Sequence, residues 1–547
     1  MTLSLSSVPF YAKAFGALAK TLVSSGIVSP EGGPRAIASL PGVLARYRFT
    51  TARELEQGYL TCPERIALID DDGALTYRQL RNEARTFARH LRRHHGDDIR
   101  LGVMARNGRG IITPLGAKGY AGATIYLLNI GSSAEQLLGS MEENRINVLV
   151  VDDEFLPRVP KNYSHDLELI VAHEGDGEAD HSLTTLDSIV RRPELVADEK
   201  LPAFPQHGDI VLMSSGTTGV PKGIIRPEPK FPFVLSTVMG NVPWRADQKI
   251  QLTASIFHTW GWACLNIALG ARNTIVTHRV FDPVQCLDDI QRYQLDGLIS
   301  SPVFYRRMVE ADPEGTYDTS SLRFICSSGH ALTPTLVEET IDRFGPILAN
   351  IYGSTELTLA AAANAEQVAS DPTLAGSVAT GTRLKILDKD GNELPRGEEG
   401  EIYLHNSMTL TGYTKPGMEV NRVQGLVSIG DLGYIDEEGY LHVVGRADNM
   451  IIVGGENVHP ESVTEVLESM PGVHEVYSGG VDDEDLFKRV AVWVVRTKDK
   501  LGEALTEDAI REFVEENLAS HSVPRDVHFL DRLPRNPTGK VVPRLLG

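Results

Sequence analysis

The chain has 547 residues, 42% hydrophobic and 23% charged, with 53 Lys plus Arg against 73 Asp plus Glu and a formal net charge of -20. This is ordinary globular usage, which excludes disordered, fibrous and low-complexity classes. The length exceeds the roughly 250 to 300 residues at which a single core stops growing, so several domains are expected. The acidic field disfavours nonspecific attraction to nucleic acid or anionic lipid, so no nucleic-acid partner is expected and a phosphate-rich ligand needs a local basic site.

The first twenty residues lack a basic segment followed by a continuous apolar run, so no signal peptide is read. Residues 10–25 suit a weakly amphipathic helix. Without a strong basic face, docking on the body is preferred over contact with lipid, although peripheral membrane contact stays open, as does a homodimer. Cys62, Cys264, Cys286 and Cys326 are far apart and form no C-x-x-C pair, suggesting neither a disulfide framework nor a zinc site. A reducing cytoplasm is the simplest expected location.

From residue 60 onward apolar runs alternate with helical patterns. IALID (66–70) is followed by YRQLRNEARTFARHLRRH (77–94), then by LGVMA (101–105), VLVVDD (148–153) and DIVLMSSG (209–216). Such alternation predicts an α/β architecture with largely parallel sheets and ligands at the strand C-terminal ends. The apolar IFHTWGWACLNIALG (256–270) falls short of the ~20 residues of a membrane span and carries His258 and Asn266, which predicts a buried helix beside a site. Residues 376–445 change to short strands with Gly-rich turns, a β-rich subdomain. Beyond GRADN (445–449), two helical and two strand patterns are enough for a small α+β unit. The expected boundary lies near Asp448, dividing the chain into 1–447 and 448–547.

The stretch SSGTTGVPKG (214–223) is rich in Gly, Ser and Thr after an apolar strand, so backbone N–H groups and hydroxyls can surround an anion, with Lys222 as a point charge. It departs from a Walker loop, because Pro221 precedes the lysine and Gly223 follows it. Read alone, it is equally a turn. Four further segments follow in order: NIYGSTE (350–356), SIGDLGYIDEEGYLHVVGRADNMI (428–451), IVGGENVHPESV (452–463) and LPRNPTGKVVPRLL (533–546). Together the five resemble the core motifs of the adenylate-forming superfamily, which includes acyl-CoA synthetases, peptide-synthetase adenylation domains and luciferases. The resemblance runs from about residue 50 to the end.

It implies a large N-terminal domain of two mostly parallel α/β sheets plus the β-rich subdomain, and a small mobile C-terminal α+β domain. It further implies that ATP and a carboxylate give acyl-AMP and pyrophosphate, and that the acyl group then passes to coenzyme A. Ser214, Ser215, Gly216, Thr217, Thr218, Gly219 and Lys222 are assigned to the β- and γ-phosphates. Asn350, Tyr352, Gly353 and Thr355 belong to the ATP site with Gly329 and His330 of SSGHAL (327–332), where His330 departs from the family pattern. Glu356 is assigned to Mg²⁺, a hard ion that takes oxygen ligands. Asp431 is expected on the ribose hydroxyls, Arg446 on the ribose or phosphate, and Asp448 at the hinge. Lys540 is the expected catalytic lysine bridging the carboxylate and the α-phosphate. Gly454, Gly455 and Glu456 are expected at the coenzyme A tunnel. Ser462 and Thr464 stand where acids are frequent in relatives, which leaves the detailed coenzyme A contacts open.

In FHTWGWA (257–263) no acid stands where peptide synthetases hold the substrate amine, so an amino-acid substrate is disfavoured. His258 resembles the residue beside the substrate carboxylate, and Trp260 and Trp262 resemble an aromatic gate of the acyl pocket, with plain core packing equally open for either. A medium- to long-chain fatty acid is the expected substrate. Delivery to a carrier protein by an acyl-AMP ligase, an aryl-CoA ligase and a non-catalytic scaffold of the same fold are the rivals.

Overall fold

A computed structural model of the chain describes residues 8–175, 183–214, 221–229, 231–415, 417–447, 449–453, 456–483, 487–518, 520–536 and 539–546. Among them are three sheets of fourteen, eight and five strands. The centre of the first sheet is parallel and runs through Leu348–Tyr352, Phe324–Ser327, Gly297–Ser300, Lys249–Leu252, Thr274–Val276 and Ile66–Asp70. The second sheet is parallel from Ile210–Ser214 through Thr124–Leu127, Arg100–Met104, Val148–Val151 and Glu168–Val171 to Thr184–Thr185. Its far edge turns antiparallel at Lys222–Arg226 and Gly412–Tyr413. Both sheets are therefore mixed, with parallel centres.

The β-rich stretch extends the first sheet instead of forming a sheet of its own. Strand Leu374–Val378 pairs antiparallel with Ala361–Ala363 on one side and with Tyr440–Arg446 on the other. Leu426–Ile435, Gly400–His405 and Arg383–Leu387 then continue outward. The edge of an open sheet presents unpaired N–H and C=O groups, and this stretch satisfies them.

Helices cover the sheets for local reasons that the sequence states. In Tyr77–His95 the Thr76 and Gln79 side chains close a capping box, and Leu80, Ala84, Phe87, Ala88 and Leu91 form one buried stripe. Helix Arg109–Ala121 is buried at every residue after Arg109, which fits its scarcity of charge, and it packs against Tyr77–His95 and Thr51–Thr61. The expected buried helix is Thr259–Gly270, seated on Thr51–Thr61. Ahead of these, helix Val8–Ser24 lays Ala14 and Leu18 against Phe233 of helix Phe233–Asn241, the docking expected for residues 10–25.

The third sheet belongs to the C-terminal part. In its long hairpin Val473–Asp483 and Phe487–Arg496, the second strand pairs with the first along one edge and, along the other, with Asp526–Leu530 in parallel and with Ile451–Val453 antiparallel. Helices Pro460–Glu468 and Glu507–Asn517 bury Val463, Leu467, Ile510 and Val514 in a core separate from that of the larger body. The chain leaves the first sheet at Arg446 and enters the third at Ile451; Asp448, between them, lies outside the described residues. All four cysteines are buried and free. Among the described residues no helix is long and apolar enough to cross a membrane.

Beside strand Thr274–Val276, His278 is clamped by two carboxylates. Its Nε2 lies 2.5 Å from Asp289 Oδ2 and its Nδ1 2.5 Å from Asp71 Oδ1. Hydrogen bonds to Asp289, then to Asp71, raise its pKa to about 10 against the opposition of burial. A histidine whose native pKa is raised contributes stability that is complete below its unfolded value near 6.5 and fades as pH climbs through the native one. We therefore expect His278→Asn to lower the melting temperature at pH 6, with the gap to wild type narrowing steadily between pH 6.5 and 10. A gap independent of pH across that window would contradict the charged clamp.

Candidate active site

Four neighbouring parallel strands of the first sheet end on one side, and their following loops converge there. Lys249–Leu252 leads to Ser255–His258, Gly297–Ser300 to Ser301–Val303, Phe324–Ser327 to Ser328–His330, and Leu348–Tyr352 to Gly353–Glu356. Ligands of α/β sheets sit at such C-terminal ends. From the second sheet, Ile210–Ser214 and Lys222–Arg226 form an antiparallel pair closed at Ser214 opposite Lys222. The intervening Ser215, Gly216, Thr217, Thr218 and Gly219 lie outside the described residues.

The pairing delivers Lys222 to the mouth of the cleft. Its Nζ donates to Glu356 Oε1 at 3.4 Å and stands 4.8 Å above the Tyr413 ring. Across the cleft, the Tyr352 hydroxyl donates to Asp431 Oδ2, and Arg446 Nη1 donates to Asp431 Oδ1 at 3.3 Å. Asp431 and Arg446 are direct cross-strand partners, so sheet register sets their meeting. Burial first, and then the Asp431 carboxylate, hold the Tyr352 phenol well above its ordinary pKa. Asn350 donates to the Leu374 carbonyl at 3.3 Å, tying its strand to the β-rich extension. Gly353 lies so close to its own loop that a Cβ would land on the Thr358 carbonyl oxygen.

His258 caps helix Thr259–Gly270 from an extended conformation and packs beside Phe257. Its Nε2 is buried and has no hydrogen-bond partner among the described residues. Burial, with Lys540 as the second cause, pushes its pKa down to about 3, so the imidazole is neutral across the physiological range and can donate or accept one hydrogen bond. His330 is accessible from the cleft yet enclosed by protein on its other sides. That enclosure, followed by Lys540 and Arg535, lowers its pKa to about 4.

Lys540 arrives from the C-terminal part on a tight turn. Asn536 Oδ1 accepts from the Lys540 N–H at 2.9 Å, and the Asn536 N–H donates to the Lys540 carbonyl at 2.8 Å. Gly539 has φ +84°, and a Cβ there would strike Val303, so this position needs glycine both for its conformation and for its closeness to the larger body. Like His330, Lys540 is accessible from the cleft but surrounded by protein. Enclosure lowers its pKa, Asp431 and Glu356 oppose that shift, and Arg446 adds to it. The predicted Lys222, Tyr352, Glu356, Asp431, Arg446, His258, His330 and Lys540 thus share one cleft.

Other predicted positions divide. Gly329, at φ +93°, faces the Ser301 hydroxyl. Thr355 is held through its backbone carbonyl, which accepts from Arg226. Glu456 begins strand Glu456–Val458 opposite Val453, whereas Gly454 and Gly455 lie outside the described residues. Trp262 is buried in the main core, and Trp260 donates its indole N–H to the Ser300 carbonyl at 3.0 Å. In this arrangement Trp262 is packed in the core, and Trp260 is half-buried and hydrogen-bonded to the backbone.

Arg226 was not anticipated from the sequence. It is fully buried, donates to the Thr355 carbonyl at 2.6 Å and to the Met408 carbonyl at 3.1 Å, and lies 5.7 Å from the centre of the Trp262 ring. Burial lowers its pKa to about 9, and the nearby Glu356 charge partly offsets this. It joins the strand after the glycine-rich loop to the backbone beside Glu356. The only sequence signal was its position three residues beyond Gly223, on an otherwise apolar strand.

Comparison with known proteins shows which family the chain resembles. Residues 55–414 match the family model described as AMP-binding enzyme, and residues 462–540 match the AMP-binding enzyme C-terminal domain. A 2-succinylbenzoate–CoA ligase of Bacillus cereus strain AH820 is 30% identical over 506 residues, covering 90% of this chain and 97% of the relative. A fatty acid–[acyl-carrier-protein] ligase, ScoC of Streptomyces coeruleorubidus, is 28% identical over 500 residues, covering 88% and 93%. Among solved structures, ATP-bound MatB from Rhodopseudomonas palustris superimposes with a TM-score of 0.79 at 24% identity, over 91% of this chain and 98% of that one, which establishes a shared fold.

Arg226→Met should leave the Thr355 and Met408 carbonyls without their buried donor, at about 1–3 kcal/mol for each lost bond. Denaturant unfolding is expected to register a loss of that order. Stability equal to wild type would show that these carbonyls find other donors.

Proposed function

The chain belongs to the AMP-binding enzyme family and is an acyl- or aryl-CoA ligase of the adenylate-forming type; on that premise we propose that it activates a medium- to long-chain fatty acid with ATP and transfers it to coenzyme A. The observation that carries the reading is the convergence of Lys540, from the C-terminal part, with His258, Glu356 and Asp431 of the larger body.

In the first half-reaction a carboxylate oxygen bonds to the α-phosphorus of ATP, and the bond from that phosphorus to the bridging oxygen of pyrophosphate breaks. Negative charge gathers between the two reactants, where the Lys540 ammonium stabilises it more in the transition state than before. His258, neutral and with a free ring nitrogen, orients the carboxylate by donating a hydrogen bond to one of its oxygens. Asp431 accepts from the ribose hydroxyls, exchanging the Tyr352 hydroxyl and Arg446 for them, and Tyr352 lies against the adenine. Lys222 and the 214–219 segment hold the outer phosphates.

The Glu356 carboxylate is a hard oxygen donor beside that phosphate position, and this fits Mg²⁺, which is usually bound by one or two carboxylates together with substrate phosphates. When bound, the ion supplies charge neutralisation of the departing pyrophosphate. In the second half-reaction the thiol sulfur bonds to the acyl carbon, AMP leaves, and the thiol proton goes to the medium. We assign the hinge for the intervening rotation to Asp448 and the pantetheine path to Gly454, Gly455 and Glu456.

The buried, predominantly apolar helix Thr259–Gly270 supports an apolar acyl body. An aryl acid is the second reading, favoured by the 2-succinylbenzoate ligase relative, and ScoC gives weight to a carrier-protein thiol as the alternative acceptor.

Lys540→Ala is expected to lower carboxylate-dependent pyrophosphate release by about 10²–10³-fold, the usual value of a group aimed at developing charge. It should leave thioester formation from supplied acyl-AMP largely intact; equal loss of both would remove the assigned role. Gly455→Leu should do the reverse, blocking the thiol arm while pyrophosphate release persists, and normal thioester formation by that variant would refute the tunnel. A panel of fatty, aryl and amino acids, each with coenzyme A, with carrier protein and with neither, should give thioester with fatty acids and coenzyme A. Turnover confined to aryl acids would replace the fatty-acid reading.

A further inference from the structure

The two leading helices break the rule that a surface helix turns its polar side outward. Helix Val8–Ser24 buries Ala14 and Leu18 and sets Phe15 edge-on against Phe231 and Phe233, yet Val23 near its end is 69% exposed. Helix Gly33–Tyr47 buries Ala36 and exposes Ile37 and Leu44, seven residues apart and so on one stripe, with Val28 exposed in the connection between the helices. Arg46 donates to the Pro202 carbonyl at 3.3 Å, bringing that loop against the second helix, and two residues further on Phe204 is 73% exposed.

The charges on this segment are predominantly positive. Residues 1–50 contain Lys13, Lys20, Arg35, Arg46 and Arg48 against a single acid, Glu31, in a chain whose net charge is -20. Glu31 does not counter them, because it is engaged by Arg65 at 2.5 Å and approached by Arg272 at 3.6 Å. Lys13 and Lys20 stand on the exposed side of the first helix, one on each flank of Gly16. Exposed apolar surface interleaved with mostly cationic side chains fits the boundary of an anionic bilayer, where the apolar side chains enter the acyl region and the cations meet the headgroups. A second copy of the chain docking through this same face would set cation against cation. The acidic remainder of the molecule is screened beyond about 8 Å at physiological ionic strength, so a local basic face governs contact.

We propose that the helices Val8–Ser24 and Gly33–Tyr47 form a docking surface for anionic lipid bilayers. The surface is independent of the acid the enzyme activates.

The test is flotation of the full chain with vesicles of phosphatidylcholine alone and of phosphatidylcholine with phosphatidylglycerol. Wild type should partition onto the anionic vesicles, and less as salt is raised. Lys13→Gln with Lys20→Gln should weaken the partition about fivefold per lysine, about 25-fold for the pair, from the usual worth of a basic residue at an anionic surface. Val23→Asp with Ile37→Asp should also release the protein. Melting temperature and ligase turnover in detergent-free solution, which these exposed positions should leave unchanged, establish that the variants are folded. Wild type failing to float with anionic vesicles, or both variants floating as wild type does, would overturn the proposal. So would a dimer seen by light scattering that the same substitutions dissociate while vesicle binding is absent.

Discussion

The site depends on one lysine reaching across from one independently built body to another. Lys540 belongs to the part whose core is formed by Val463, Leu467, Ile510 and Val514, whereas every group it meets is rooted in the larger sheets. Among the described residues, contacts between the two include Arg306 with Glu468 at 3.6 Å, His459 with Glu399 at 3.1 Å, and Gly539 seated against Val303. Partly exposed ion pairs contribute at most about 1 kcal/mol each. An interface of this kind permits relative motion of domains, which a two-step reaction in a single cleft requires.

The larger body, by contrast, is set before any ligand arrives. Asp431 and Arg446 meet through strand register, Tyr352 is already turned to Asp431, and Arg226 ties the strand after the glycine-rich loop to the carbonyl of Thr355. Burial keeps His258 neutral, so it adds no second positive charge beside Lys540. On the proposed reading, binding and catalysis are thereby divided: the nucleotide contacts fall on strands of the larger body, and the charge that acts on the transition state on the C-terminal part.

Local pattern made the centres of the sheets legible, because apolar runs such as VLVV and the capped, periodic helix Tyr77–His95 declare themselves within a few residues. The order of the five motifs carried the site. Pattern did not tell that the β-rich stretch joins the first sheet, since that depends on Leu374–Val378 finding partners far along the chain. Arg226 was equally illegible: a sequence does not say which arginine will be buried, only that one follows an apolar strand. The two tryptophans read as a gate or as packing with equal ease, and the Trp260 bond to Ser300 and the burial of Trp262 favour packing. At the N-terminus the sequence yielded a helix but not its anomaly, because which side chains face outward is decided by helix Phe233–Asn241, two hundred residues away.

The continuity of the first sheet has a consequence for how the molecule could be altered. Strand Tyr440–Arg446, with Arg446, and strand Leu348–Tyr352, with Tyr352, are separated only by Leu374–Val378 and Ala361–Ala363, whose alanines are buried and closely packed. The spacing between the two sides of the nucleotide position is therefore a property of four hydrogen-bonded strands, each about 4.8 Å from the next, like the pitch of a ruled grating. Side chains stand above and below the sheet and do not set that pitch, and changes in the acyl-side helix Thr259–Gly270 leave it alone. Acid preference can drift in such a molecule while its nucleotide stays fixed.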